Sequence, residues 1–203
     1  MKDKLSQIRT KSDNVLTMQQ NLWRVLLVLL LGAVLGFLAK YTDGSVVGEI
    51  GTYLGFWILV TTILVAWSRS PETAALHAFV FLVAMIVVYY IYSMILFGVF
   101  PKYYFIAWGS IALLAPIGGY VVWYARGNGW IAAFCAAFPI SLLLAEGYSF
   151  TYTFSIPRGF ELFSAILLFK ILPKNYLQRI RILPIVVIMF LIIKHFGLVN
   201  LLP

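Results

Sequence analysis

From residue 22 to residue 200 the chain is a series of apolar runs broken only by short polar corners: YTDGS, SRSPET, Pro101-Lys102, ARGNG and LPKNY. A helix needs about 20 largely apolar residues to cross the hydrocarbon of a bilayer. Measured against that length, the runs mark seven segments, at about 22–41, 50–67, 74–100, 104–125, 130–147, 159–173 and 182–200. The sixth, GFELFSAILLFKILP, is short, and without it the count is six. Composition argues against a soluble alternative. Of the 203 residues 63% are hydrophobic and 11% charged, with a mean hydropathy of +0.96. A soluble domain is about 25% charged, and so few charges cannot cover a globule of this size. The expectation is an all-α, polytopic transmembrane helical bundle, residues 1–21 forming a basic cytoplasmic segment and 22–203 the bundle. The first apolar run lacks a small-residue cleavage site, so it reads as a retained anchor and not as a signal peptide.

Lysine and arginine mark the cytoplasmic side of such a bundle. With seven spans and the N-terminus inside, the inner face holds Lys2, Lys4, Arg9, Lys11, Arg24, Arg69, Arg126, Lys170, Lys174, Arg179 and Arg181. The outer face holds only Lys40, Lys102, Arg158 and Lys194. Trp23, Trp67, Trp123 and Trp130 fall at inner ends, where aromatic belts sit. The net charge of +8 is therefore an inner-surface feature. It does not point to nucleic acid, because no basic patch is interleaved with stacking aromatics. The N-terminal MKDKLSQIRTKSDNVLTM mixes Leu5, Ile8, Val15, Leu16 and Met18 with basic residues. It fits an amphipathic segment on the inner leaflet and equally a mobile tail whose charges set topology.

Small residues supply the packing faces that helices in lipid need. Gly32 and Gly36 form a GxxxG; Gly44, Gly48, Gly51 and Gly55 lead into the second segment; Ala132, Ala133, Ala136 and Ala137 line the fifth. In LLAPIGGY, Pro116 with Gly118 and Gly119 marks a kink or a break, and Pro139 repeats the device. Cys135, the one cysteine, lies in WIAAFCAAF and reads as a packing residue.

Chemistry is sparse. No HExxH, GxSxG or P-loop is present, and His77 and His195 fall at opposite faces, so no catalytic residue, metal site or cofactor is expected. Lys194, beside His195, reads as a snorkelling interface residue. Ionisable groups in a membrane protein are functional candidates, and Asp43, Glu49, Glu146 and Glu161 all fall toward the outer side. Aromatics crowd the same half: Tyr89, Tyr90 and Tyr92 in VVYYIYSM, then Phe97, Phe100, Trp57 and Trp108. By helical spacing Tyr89 and Tyr92 share a face and Tyr90 points elsewhere. Rings beside carboxylates suit an organic cation; they also suit an ordinary aromatic girdle. In AEGYSFTYTFSIPRGFE, Tyr148, Phe150, Tyr152 and Phe154 alternate with hydroxyl residues. A period of two predicts an extended or re-entrant segment, placed as a lid over an outer pocket or as an interfacial loop. The expected ligand-binding set is Glu146, Tyr148, Tyr152, Glu161, Tyr89 and Trp108.

The stretches FWILVTTILVAWSRSPETAALHAFVFLVAMIVVYYIYS, FGVFPKYYFIAWGSIALLAP and WYARGNGWIAA, with SRSP, FP and ARGNGW as their most specific parts, carry a likeness over about residues 25 to 195. The chain resembles a family of small multi-span membrane proteins of Gram-positive bacteria, classed as a domain of unknown function. The resemblance implies localisation and fold and carries no activity. A second likeness is architectural. Substrate-binding subunits of energy-coupling-factor vitamin transporters are similarly small, hydrophobic and aromatic-lined outside, with six spans and both termini inside. The expectation is a multi-pass plasma-membrane protein, partnered by the lipid bilayer, that binds or moves a small solute through an outward-facing pocket. The alternatives are a non-transporting subunit or scaffold, with a membrane-protein partner or as a homo-oligomer, and an intramembrane enzyme.

Overall fold

A computed structural model describes residues 6–11 and 17–197. Every regular element among the described residues is helical: α1 Met18–Tyr41, α2 Val46–Thr52, α3 Leu54–Ala66, α4 Pro71–Phe97, α5 Lys102–Trp123, α6 Gly129–Gly147, α7 Phe150–Thr153, α8 Ile156–Ile171 and α9 Tyr176–His195. A single 3-10 turn, Tyr124–Arg126, extends α5. Local chemistry explains the boundaries. Thr17 caps α1 in a reciprocal box with Gln20, and Ser70 does the same for α4 with Thr73, with Pro71 in the first turn. Gly98 closes α4 at φ 70, a left-handed conformation that glycine adopts without a Cβ clash.

Five stretches are long and apolar enough to cross a membrane: α1, α4, α5 with its 3-10 turn, α6 continued through α7, and α9. The count is six if α2 and α3, bent by 65° at their junction, make one span. With 16 residues, α8 reaches only about 24 Å against a core of about 30 Å. It nevertheless reaches between the same two ends as its neighbours, because contacts sort the loops into two ends. At the N-terminal end, Arg9 donates to the carbonyls of Ala66 (2.9 Å) and Ser68 (3.4 Å), and the Trp123 indole donates to Ser68 O at 2.7 Å. There too the Asn128 N–H donates to Ile8 O, Gln178 to Gly129 O, and Arg179 to Lys170 O. At the opposite end, Lys40 lies over Phe97, Arg158 over Tyr53, and Lys194 over Tyr148. The rods α1, α2–α3, α4, α5, α6, α8 and α9 alternate between these ends, in the partition of loops that the basic residues mark.

The alanine face of α6 is the centre of the bundle. Ala132, Ala133, Ala136 and Ala137 are fully buried, and Cys135 is buried beside them. The GxxxG of α1 works inside the chain: a Cβ on Gly32 or Gly36 would run into the backbone of α4 at Phe81 or Met85. Two sequence expectations change. First, α5 runs through Pro116 as one helix, so the chain does not break there. Gly118 borders open space while Gly119 takes the close approach of α4, where a Cβ would come within 2.8 Å of Ala74 O. The break falls instead between α2 and α3. Second, residues 6–11 dock on the bundle and do not trail from it: Ile8 is buried against Gly127. Residues 1–5, 12–16 and 198–203 lie outside the described residues, and with them part of the expected amphipathic segment and the end of the last run.

Candidate functional site

The break organises the candidate site. Ser45 caps α2 by accepting from Gly48 N–H at 3.2 Å, and the extended backbone of Tyr53 (φ −76, ψ 144) interrupts the helix after about two turns. Glycine permits the fold-back. Gly48 lies against the Thr42 backbone, and Gly51 against Ala39. On the far side, Gly55 leaves room for Glu161 of α8, whose Cδ sits 3.2 Å from where a Cβ would be. The short segment thus has two sides: Thr52 and Trp57 face a cavity, whereas Tyr53 and Gly55 face a cluster of ions.

The cavity measures about 70 Å³ and lies between α3, α4 and α5, with Thr52, Trp57, Tyr89, Tyr90 and Trp108 in its wall. Its rings support one another: Tyr89 and Tyr90 meet edge to face at 5.1 Å, Tyr90 and Phe105 at 5.8 Å. Here Tyr90 lines the wall beside Tyr89, while Tyr92 turns to Phe37 of α1, 4.7 Å away. Tyr89 and Tyr92 do share the α1 side, Tyr89 near Lys40 and Tyr92 on Phe37; what is corrected is the place of Tyr90, because successive residues about 100° apart can both border one crease. The Lys40 ammonium, on a largely buried side chain, lies 5.6 Å from the Tyr89 ring and 4.7 Å from Phe97, and pairs with Asp43 at 2.5 Å.

In the ion cluster one guanidinium serves two carboxylates. Arg158 approaches Glu146 Oε2 at 2.5 Å and Glu161 Oε2 at 3.1 Å, and donates to the Glu146 carbonyl at 3.1 Å. Glu161 is fully buried, and its Oε1 has no hydrogen-bond partner. The Tyr53 ring lies 5.1 Å from the guanidinium. With both carboxylates ionised the cluster carries one excess negative charge in a low-dielectric setting, which a proton or a cation can cancel.

The six expected ligand residues therefore occupy three places. Tyr89 and Trp108 share the cavity, and Glu146 and Glu161 share Arg158. Tyr148 and Tyr152 stand apart, their hydroxyls bonded to each other, with Tyr148 packed on Phe190 and under Lys194. The four carboxylates do not meet at one mouth: Asp43 is held by Lys40, and Glu49 is exposed. The lid expectation changes with them, because residues 148–153 are helical and not extended. A period of two also contains every i, i+4 pair, and those pairs share a helix face. Tyr148 meets Tyr152 and Phe150 meets Phe154 edge to face, on opposite sides of one turn. Phe154 then stops the helix at φ 49. Missed altogether was the role of the cations at this end of the bundle. Lys40, Arg158 and Lys194 each sit over one of the chain's own rings. The available signals were the i, i+3 spacings of Arg158 and Glu161 and of Lys40 and Asp43, a helical ion-pair distance.

Among the described residues no group of three or more His, Cys, Asp and Glu is placed to hold a metal ion. Fold and site together define a bundle of apolar helices with one broken rod between an aromatic cavity and a buried ion cluster. The chain belongs to a family of unknown function (DUF6518), whose model matches residues 16–200. No curated protein and no solved structure matches it.

Proposed function

We propose that this is a multi-pass plasma-membrane protein, N-terminus inside, that binds a small solute in the aromatic cavity beside the broken helix. The observation that carries this reading is the shared wall. Irregular backbone at membrane depth is tolerated where it lines a cavity or is buried in protein, and transporters place substrate and coupling-ion sites at such breaks. Here one six-residue stretch presents Thr52 and Trp57 to the cavity and Tyr53 and Gly55 to the Glu146–Arg158–Glu161 cluster. Binding on one side moves the segment against the ions on the other.

Size limits the solute. A cavity of about 150 Å³ holds benzene, and this one is about half that. The cavity as it stands suits a small amine or similar compound, and a vitamin-sized ligand requires α2–α3 to swing outward. A thermal-shift screen of small amines and small aromatic compounds in detergent tests the reading. Stabilisation that Trp108→Ala abolishes is the expected result. A blank screen, or stabilisation that survives Trp108→Ala, refutes the site.

The competing reading is a non-transporting subunit or scaffold. It is favoured by the self-neutralised outer face, where Lys40, Arg158 and Lys194 already occupy the positions an organic cation would take. Its interface is not the GxxxG of α1, which α4 covers. Purification from native membranes with a stoichiometric second protein, together with a blank ligand screen, would favour it.

A further inference from the structure

Two buried oxygens on one face of α8 have no hydrogen-bond partner, Oε1 of Glu161 and Oγ of Ser164. They are three residues apart, neighbours on a helix surface, and both side chains are fully buried. The Glu161 oxygen lies against the first turn of α3, 3.1 Å from where a Cβ on Gly55 would be. A buried acceptor without a donor is unfavourable, and an ionised one more so. The balance of charge adds to the cost, because Arg158 is shared with Glu146 and one guanidinium faces two carboxylates.

The surroundings do not correct that balance. Helix α8 packs against α2, α3 and α6, and Phe150 of α7 meets it at Gly159. From α6 comes Glu146. No titratable residue lies in α3, and the Tyr53 ring at its cap faces the guanidinium. Glu49 of α2 and Tyr152 of α7 are both exposed. Among the described residues, the charged groups that act on Glu161 are Arg158 and Glu146.

We propose that this cluster is a proton-binding site, its carboxylates taking up one exchangeable proton that lodges on Glu161. The proton comes from water at this end of the molecule, where the Arg158 side chain is 27% exposed and that of Glu146 10%. It forms an O–H bond at Oε1, since Oε2 is engaged by Arg158, and the negative charge of that carboxylate is lost. One guanidinium then matches one carboxylate. The new O–H is a donor, and Ser164 Oγ on the same face is a buried acceptor without a partner. A metal cation in the same place would stand beside the guanidinium and need about six oxygen ligands; a proton needs one. The site stands on the cluster alone, and a blank solute screen leaves it intact.

The test is infrared spectroscopy on the full chain in detergent. It reads the C=O band of a protonated carboxyl above about pH 6, where solvated carboxylates, with values near about 4, stay ionised. Acidification from about pH 9 is expected to produce the band of a single buried carboxyl, and Glu161→Gln to remove it. Gly55→Ala, whose new Cβ bears on Glu161, is expected to shift the band. A band that this variant leaves in place belongs to Glu146 and overturns the assignment. Thermal unfolding adds the linkage: a proton held by the folded chain and released by the unfolded one stabilises less as pH rises. Wild-type Tm should therefore drop by about 2–4 °C relative to Glu161→Gln across the same range. If Glu161→Gln does not fold, Glu146→Gln decides, because with one carboxylate per guanidinium the band should vanish there too. No band above about pH 6, a band that survives either Gln variant, or an equal gain in Tm from sodium at alkaline pH each overturns the proposal.

Discussion

Arg158 shows what one residue does in this bundle. It contacts two carboxylates at once, one of them fully buried. Removing it leaves like charges facing each other with no compensation, and breaking a buried pair this way costs about 3 kcal/mol or more. Arg158→Gln is expected near the low end of that range, because the side chain is 27% exposed. Glu161→Gln acts in the other direction. The amide keeps the shape and removes the excess charge, so the unfolding midpoint should hold or rise. Thermal unfolding of both variants in detergent checks the pair; equal losses would mean that the cluster is not charge-imbalanced. The sequence marks Glu146 and Glu161 as candidates because carboxylates are rare in this chain. It does not show that Arg158 joins them, since an arginine in a polar corner looks like a topology signal until the fold folds α8 back onto α6.

The helices carry a similar lesson about period. Apolar length and corner residues predict the rods well: the expected 22–41 and 74–100 correspond to Met18–Tyr41 and Pro71–Phe97. What misleads is the alternation at 148–154, where tyrosine and phenylalanine at every second position satisfy a strand and two helix faces alike. The helical solution wins because each ring finds its i+4 partner, and Phe150 also packs on Gly159, where a Cβ would sit within 3.1 Å of the ring. The cost falls on Phe154, a non-glycine residue at φ 49. Such a backbone is unfavourable by about 1–2 kcal/mol, and the ring pair returns about 0.5–1.5 kcal/mol. Phe154→Gly, which relieves one and forfeits the other, should therefore be nearly neutral. Phe154→Val loses the pair and worsens the strain, so it should destabilise by about 1 kcal/mol or more. Denaturant midpoints would distinguish the two, and equal effects would remove the strain argument. The α1–α4 contact is the second test at this scale. Gly36→Leu places a branched side chain against the Met85 backbone. Overpacking of this kind costs about 1–3 kcal/mol, and cross-linking between α1 and α4 should fall with it. An unchanged midpoint and undiminished cross-linking would mean that the close approach contributes nothing.

For the molecule as a whole, the division of charge between two ends was legible, because the loops at the Arg9 end hold most of the lysine and arginine and the packing gathers those loops together. The use made of Arg9 was not legible, since nothing local to SQIRTK points at residues more than fifty positions away. Arg9 joins two rods at the point where each runs out of helix. Its guanidinium donates to Ala66 O, the last carbonyl of α3, to Ser68 O, and to Trp123 O at the end of α5, and it lies 4.1 Å from the centre of the Trp123 ring. Helix C-termini present unpaired carbonyls and the negative end of the dipole, so a cation there satisfies both rods at once. Burial and the neighbouring Arg126 pull its pKa down to about 10, still well above neutral, so the charge persists at physiological pH. Hydrogen bonds to a charged group contribute about 1.5–3 kcal/mol. Arg9→Ala should lower stability by about that amount and expose the 66–70 and 123–128 corners to protease. Arg9→Lys should recover only part of it, because a single ammonium cannot fork across two helix ends or stack on the indole as a flat guanidinium does. An Arg9→Ala protein with unaltered Tm and unaltered cleavage would show that the N-terminal segment merely rests on the bundle; graded loss from Arg through Lys to Ala would show that it ties α3 to α5.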